Sequence, residues 1–384
     1  MIDYFKAEID KKEIEAVSRV LEGGWVTTGK ECGEFEKKFL KVFNFDNTFN
    51  ALAVTSNTHG LHLAIESFNF QDKSEIIVPA MTFTASAAAI IYSGHIPVIV
   101  DCNSDNLIDH KEIQKSITKK TKAILVVHFA GKAADMRPIM EIAKKNNLKV
   151  IEDAAHALPC KYKNGNWVGS LGNPTVFSFY ANKTMTTGEG GMVITNSKKN
   201  FKLMKSKRSH GMNKNVLDRF SGKSKNWEYD IDTKGFKYNL TDIASAMGIV
   251  QLDKLFDGQK KREKIAKIYR DNLDKDKLFI TSEAEKNGLH AYHLFQIRSK
   301  QKPKEFREAL TTIFEKDNIG FSVHYKPLNK LKYWKKYLKQ QNSFQNSNAH
   351  FSGCISLPIY PSLEEKHVLT ICDIVNQLLK SENF

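Results

Sequence analysis

An α/β fold, with a large domain on a mostly parallel sheet and a smaller C-terminal α+β domain, is predicted by three features of this sequence. Apolar runs alternate with helix-period segments through 51–151, the pattern of successive βα units. The 384 residues exceed what one minimal core needs and suit two lobes. Beyond Asp257-Gly258 the pattern changes to separate strand and helix signals, which sets the expected border between 1–257 and 258–384.

Taken in order, the first helix is announced by Asp10 with Glu13 at capping-box spacing and is stopped by Gly23-Gly24. Trp25 to Gly29 reads as a hydroxyl-bearing loop. Strands are expected at Ala51–Val54, Ile76–Val78, Val98–Val100, Ala123–Val127 and Leu148–Ile151, with a helix carried by Met136, Ile139, Met140 and Ala143. Ile76 to Val100 lacks Asp, Glu, Lys and Arg, but Pro79, Gly94 and Pro97 interrupt it, so strand, helix and strand is the reading rather than a membrane span. A strand follows at Met192–Thr195. A long helix opens at Thr241 and is expected to break near Asp257-Gly258. The small domain then offers a strand at Tyr292–Ile297, a helix from Pro303 ending before Gly320, and a last helix capped by Ser362 with Glu365.

Composition narrows the function. Lys and Arg number 58 against 43 Asp and Glu, for a net charge of +15. The lysines are scattered in pairs such as Lys119-Lys120 and Lys260-Lys261, as on solvated faces, and no helix-turn-helix segment accompanies them, so no nucleic-acid partner is expected. The five cysteines are widely spaced without a C-x-x-C pair, which points away from disulfides and from a metal site. The start Met1-Ile2-Asp3-Tyr4-Phe5-Lys6 lacks the features of a signal peptide, and a cytoplasmic protein without membrane association is expected.

The chemistry is carried by Lys183 and Asp153. Lys183 follows the apolar-rich Val176-Phe177-Ser178-Phe179-Tyr180 and precedes a Gly-rich turn, so its stem sits in a partly dry place. Desolvation favours the free amine, the form that attacks a carbonyl. Asp153 ends the apolar run before it. An amine and a buried carboxylate are the two groups pyridoxal phosphate asks of a protein, one for its aldehyde and one for its ring nitrogen. A phosphate seat is expected at Ser56-Asn57-Thr58-His59-Gly60, where a strand turns into a helix with free amides. Ser56, His128 and Asp153 all fall at carboxyl ends of expected strands, the edge on which such sheets assemble their sites. Gly188-Glu189-Gly190-Gly191 is not a dinucleotide fingerprint, because Val193 stands where the last glycine belongs. A hydrolase built from Ser178, His156 and Asp153 lacks the G-x-S-x-G elbow.

These residues resemble the sugar aminotransferases (DegT/DnrJ/StrS type) among the fold-type I pyridoxal-phosphate enzymes. The likeness runs through Gly24–Gly29, Ser56-Asn57-Thr58, Thr82-Phe83, His128–Gly131, Glu152–His156, the Lys183 segment, Gly235–Asp242, Val323-His324-Tyr325 and Leu357-Pro358. It implies pyridoxal 5'-phosphate as cofactor, carried on Lys183, which also shuttles the proton. It further implies that Asp153 pairs with the ring nitrogen, Phe83 stacks on the ring and His156 lies by its hydroxyl. Thr58, the His59 amide, Ser178 and, from a neighbouring subunit, Asn239 would hold the phosphate. Thr28, His324 and Tyr325 are the candidates for substrate contacts.

The implied reaction takes an amino group from L-glutamate to C4 of a UDP-linked 4-keto sugar for surface glycans such as O-antigen or lipopolysaccharide, in a homodimer that shares its sites. Amination at C3 of a 3-keto dTDP-sugar stands as the alternative. The dehydratases of the same group replace the lysine by histidine, and Lys183 argues against them. A nucleic-acid-binding regulator on the same fold is suggested by charge alone.

Overall fold

The computed structural model describes residues 1–213, 229–338 and 343–381. Helix α1 (Lys11–Glu22) starts as the sequence predicts: the Asp10 carboxylate accepts the Lys12 amide, and Glu13 reaches back to accept the Asp10 amide at 3.0 Å. Helix α2 (Lys30–Val42) had no comparable signal, since its first flanking residue is Gly29. Its cap comes from far along the chain. The Asp242 carboxylate accepts the amides of Gly29, Cys32 and Glu31 at 2.7, 3.0 and 3.2 Å.

The large unit continues with β1 (Asn50–Val54), α3 (Asn57–Glu66), β2 (Glu75–Pro79), α4 (Thr84–Tyr92), β3 (Ile96–Val100), α5 (His110–Ser116) and β4 (Thr121–Val127). Then come α6 (Met136–Lys145), β5 (Lys149–Asp153), β6 (Thr175–Ser178), β7 (Gly191–Thr195) and α7 (Lys198–Arg208). The strands form a seven-stranded sheet in the order β1-β7-β6-β5-β4-β2-β3, parallel except where β7 meets β1 and β6. Alternate residues enter opposite cores: Ile77, Val98 and Val126 pack on one face, Ile76, Ile99 and Leu125 on the other. A sheet buried on both faces is why these strands read as continuous apolar runs.

Helix α8 (Asp242–Asn272), capped by the Thr241 hydroxyl, runs unbroken through Asp257-Gly258, where the sequence reading expected a break. A single glycine costs a helix only about 1 kcal/mol, and this helix is held from two sides. Leu252 and Leu255 lie in the large unit's core, whereas Ile265, Ala266 and Tyr269 lie in the small unit's.

The small unit has β8 (Leu278–Ile280), β9 (Phe295–Ser299), α9 (Pro303–Lys316), α10 (Gln345–Gly353), β10 (Ile355–Leu357) and α11 (Glu365–Ser381), with an antiparallel sheet ordered β10-β9-β8. β9 begins after the expected Tyr292 because that residue has a left-handed φ of 45°. α11 begins three residues beyond Ser362, whose amide is bonded instead to the Glu8 carboxylate at 3.0 Å. Two segments cross between units: Ile2 packs in the small core, and Leu328, Trp334 and Phe344 pack in the large one. Among the described residues no helix is long and apolar enough to cross a membrane.

Candidate active site

Asp153 ends β5, buried at the wall of a cavity, with three donors on its carboxylate and one lone pair of Oδ2 left over. Oδ2 accepts the Ser86 hydroxyl at 2.8 Å, and Oδ1 accepts the Asn57 side-chain amide at 3.2 Å and the Ala155 backbone amide at 3.1 Å. Burial pushes the carboxyl above its ordinary range, against the pull of Ser86, Ala155, Asn57 and Lys183.

Lys183 sits in the loop between β6 and β7, its amide bonded to the Tyr180 carbonyl at 3.0 Å. Burial pushes its amine down to about 8, with Asp153 pulling the other way. Its Nζ lies 3.3 Å from Nε2 of His293. The Gly-rich turn that follows serves close packing: a Cβ on Gly191 would stand 2.8 Å from the Phe177 carbonyl oxygen and 2.9 Å from the Asn57 amide nitrogen.

Asp153 and Lys183 line one cavity of about 500 Å³, together with Thr58, Phe83, His156, Ser178, His324 and Tyr325 from the predicted set. Phe83, at the head of α4, is 59 % exposed, an aromatic left uncovered beside the cavity. His156 is buried with both ring nitrogens engaged. The Ala130 amide donates to Nδ1 at 3.2 Å, which leaves the ring proton on Nε2, where Tyr325 Oη accepts it at 3.1 Å. Tyr325 thus keeps its own hydroxyl proton free to donate. His324 Nδ1 is 2.9 Å from Ser356 Oγ, and burial, together with the Lys183 charge, pushes the ring down to about 4. It offers a neutral imidazole.

Three predicted residues do not line this cavity. The His59 ring stacks on Tyr238 with centroids 3.9 Å apart and bonds Thr55 Oγ1 at 2.7 Å, while its amide is taken by Ser56 Oγ at 3.2 Å. The helix cap uses the amide that the phosphate seat was expected to use. Thr28 and Asn239 meet each other at 2.5 Å, the Asn239 amide donating to Thr28 Oγ1, away from the cavity of their own chain. His128, read at a strand end, faces the interior and pairs with buried Glu152 at 3.0 Å.

Sequence reasoning missed Ser86 and His293, and placed Asn57 in the phosphate seat rather than on Asp153. Ser86 stands among the small residues of α4, bonded to Thr82 just ahead of the helix, and a polar residue in an apolar, alanine-rich helix was the one signal available. His293 gave none. The set as a whole fits pyridoxal phosphate: a partly neutral amine, an enclosed carboxylate for a ring cation, an uncovered aromatic, and hydroxyls at Thr58 and Ser178 beside the first turn of α3.

Comparison with known proteins agrees. The profile of the DegT/DnrJ/EryC1/StrS aminotransferase family matches residues 7–376. A spore coat polysaccharide biosynthesis protein of Bacillus subtilis is 35 % identical, over 97 % of this chain and 95 % of its own. The GDP-perosamine synthase of Escherichia coli O157:H7 is 33 % identical, over 98 % of each chain. Among solved structures, a Streptococcus pneumoniae protein in its pyridoxamine-phosphate form superposes with a TM-score of 0.91 at 29 % identity, covering 98 % of this chain and 99 % of that one.

Proposed function

Because the chain belongs to the DegT/DnrJ/EryC1/StrS aminotransferase family, whose members depend on pyridoxal 5'-phosphate, we propose that it carries an amino group from L-glutamate to C4 of a UDP-linked 4-keto sugar destined for a surface glycan. The observation that carries this reading is the pairing of Lys183 with a buried Asp153 held by three hydrogen bonds in one cavity. When bound, the cofactor supplies an aldehyde that condenses with primary amines and a ring that takes up carbanion charge.

The chain's own groups do the rest. Asp153, immobilised by Ser86, Asn57 and the Ala155 amide, holds the proton on the ring nitrogen. Phe83 would cover one ring face, His156 would lie by the ring hydroxyl, and Thr58 with Ser178 would hold the phosphate, while Tyr325, bonded to His156, would keep its hydroxyl proton for the substrate. Lys183 Nζ takes the proton from Cα of glutamate in the first half-reaction and delivers one to the sugar C4 in the second. His324, neutral, binds sugar or diphosphate oxygens as a hydrogen-bonding group rather than as a charge. Thr28 and Asn239, which turn away from their own cavity, complete the cavity of a second subunit in a homodimer.

The test is the visible spectrum of the loaded protein. L-Glutamate should bleach the band of the lysine-bound cofactor, and one member of a panel of UDP-, dTDP- and GDP-linked keto sugars should restore it. The GDP sugars belong in the panel because the E. coli relative is named for one. Product analysis distinguishes C4 from C3 amination. Lys183→Ala should form no such band and lose at least about a thousandfold in turnover; an active Lys183→Ala enzyme is incompatible with this function.

A further inference from the structure

His293 touches the lysine amine without lining the cavity: its Nε2 is 3.3 Å from Lys183 Nζ, and its side chain is 6 % exposed. The ring packs against His156, with centroids 4.4 Å apart. Burial, with Lys183, His156, Arg262 and His324 around it, holds His293 well below the ordinary imidazole range, so the ring carries one proton and has one bare nitrogen. Among the described residues its Nδ1 has no hydrogen-bond partner. A lysine amine has N–H groups to donate in either charge state, whereas a ring N–H aimed at the neutral amine would occupy the lone pair needed for attack.

We propose that His293 is a positioning residue for Lys183: with its proton on Nδ1, it accepts an N–H from the amine at Nε2, holding the nitrogen in place and leaving its lone pair directed into the cavity. The proposal rests on the reading of Lys183 as the lysine that condenses with the cofactor. Lysine's stem is long and flexible, and the opposing attraction is Asp153, which would draw the amine as an ammonium toward the ring-nitrogen end of the site. A neutral acceptor holds the amine without demanding its charge.

The experiment titrates Lys183 directly in the cofactor-free protein, by acetic anhydride labelling over a pH series with the Lys183 peptide quantified by mass spectrometry. The titratable groups facing the amine are Asp153, His156, His293, His324 and Tyr325, and all but His293 stay constant between His293 variants. An acceptor stabilises an ammonium more than a neutral amine, so His293→Phe should lower the half-labelling pH by about one unit, and His293→Gln, which places an amide oxygen near Nε2, should restore it. An unchanged or raised value in His293→Phe overturns the proposal. Nitrogen NMR of the wild-type ring tests it independently of whether the variants fold: a bare Nε2 is expected, and a protonated Nε2 overturns it. Borohydride reduction of the loaded protein separates the two readings. A tag on another lysine removes the role of Lys183, whereas a tag on Lys183 with an unmoved titration removes only that of His293.

Discussion

Asp153 shows how much of this site is spent on one charge. Enclosure works against its ionised form, and Ser86, Asn57 and the Ala155 amide counter it with a bond each. Removing the 2.8 Å Ser86 donor raises the carboxyl further, because that bond favours the charged form. The cofactor's ring cation needs the carboxylate, so affinity falls as pH drops through the carboxyl's titration, and Ser86→Ala should move that fall to higher pH. At fixed mildly acidic pH the variant should bind pyridoxal phosphate roughly tenfold more weakly, the worth of one charge-assisted hydrogen bond. Absorbance titration of the apoprotein against the cofactor measures both, and an unshifted curve would mean that Ser86 only packs. Lys183 and Asp153 were legible because each sits where an apolar run ends. Ser86 and His293 were not: one hides among alanines, the other among apolar neighbours, and only the fold brings them to the charges they serve. His59 failed for the opposite reason, since adjacency to Thr58 said nothing of the Tyr238 ring on which it stacks.

Helix α3 must hold its first turn at the cavity, and its far end is fastened by Glu66. That carboxylate meets Lys207 Nζ at 2.5 Å, His62 Nε2 at 3.7 Å and Lys234 Nζ at 3.9 Å. Burial alone would push Glu66 up, but His62, Lys207 and Lys234 override it and hold the carboxyl down to about 2, against an ordinary 4.5. A depressed carboxyl stabilises the fold above its unfolded pKa and ceases to do so as pH falls through the folded one. Glu66→Gln should therefore cost about 2–3 kcal/mol at neutral pH. The gap to wild type should close between pH 4.5 and about 2, as chemical denaturation at several pH values would show; a gap that persists at the acid end contradicts the ion-pair account. Elements were legible where their signals are local. The Asp10–Glu13 box set α1, and two-sided burial set the strands. The cap of α2 lies on Asp242, and α8 keeps its helix through Gly258 because two cores grip it, facts that no window of sequence contains.

At the scale of the whole molecule, the proposed division of the site between two chains has the clearest test. The loop carrying Thr28 is pinned by Asp242, and Asn239 is fixed beside it by a bridge to Val54 and by its bond to Thr28. Neither residue lines its own cavity, yet each carries the polar groups that a phosphate or a sugar needs. A two-fold interface places the same patch of each subunit against its mate, so a residue that serves the partner's cavity does so in both directions. Consider Lys183→Ala and Asn239→Asp, the second setting a carboxylate against a phosphate. Either variant alone should be nearly inactive. In a co-expressed mixture, a heterodimer joins the intact Lys183 of one chain to the intact Asn239 of the other in a single working cavity. Random pairing makes half the dimers mixed, each with one good site, so specific activity should recover to about a quarter of wild type. If Asn239 served its own cavity, every site in the mixture would carry one of the two lesions and nothing would recover. The quarter-activity result thus reports on the shared site directly, without a structure of the dimer, and its absence would return Asn239 to the service of its own chain.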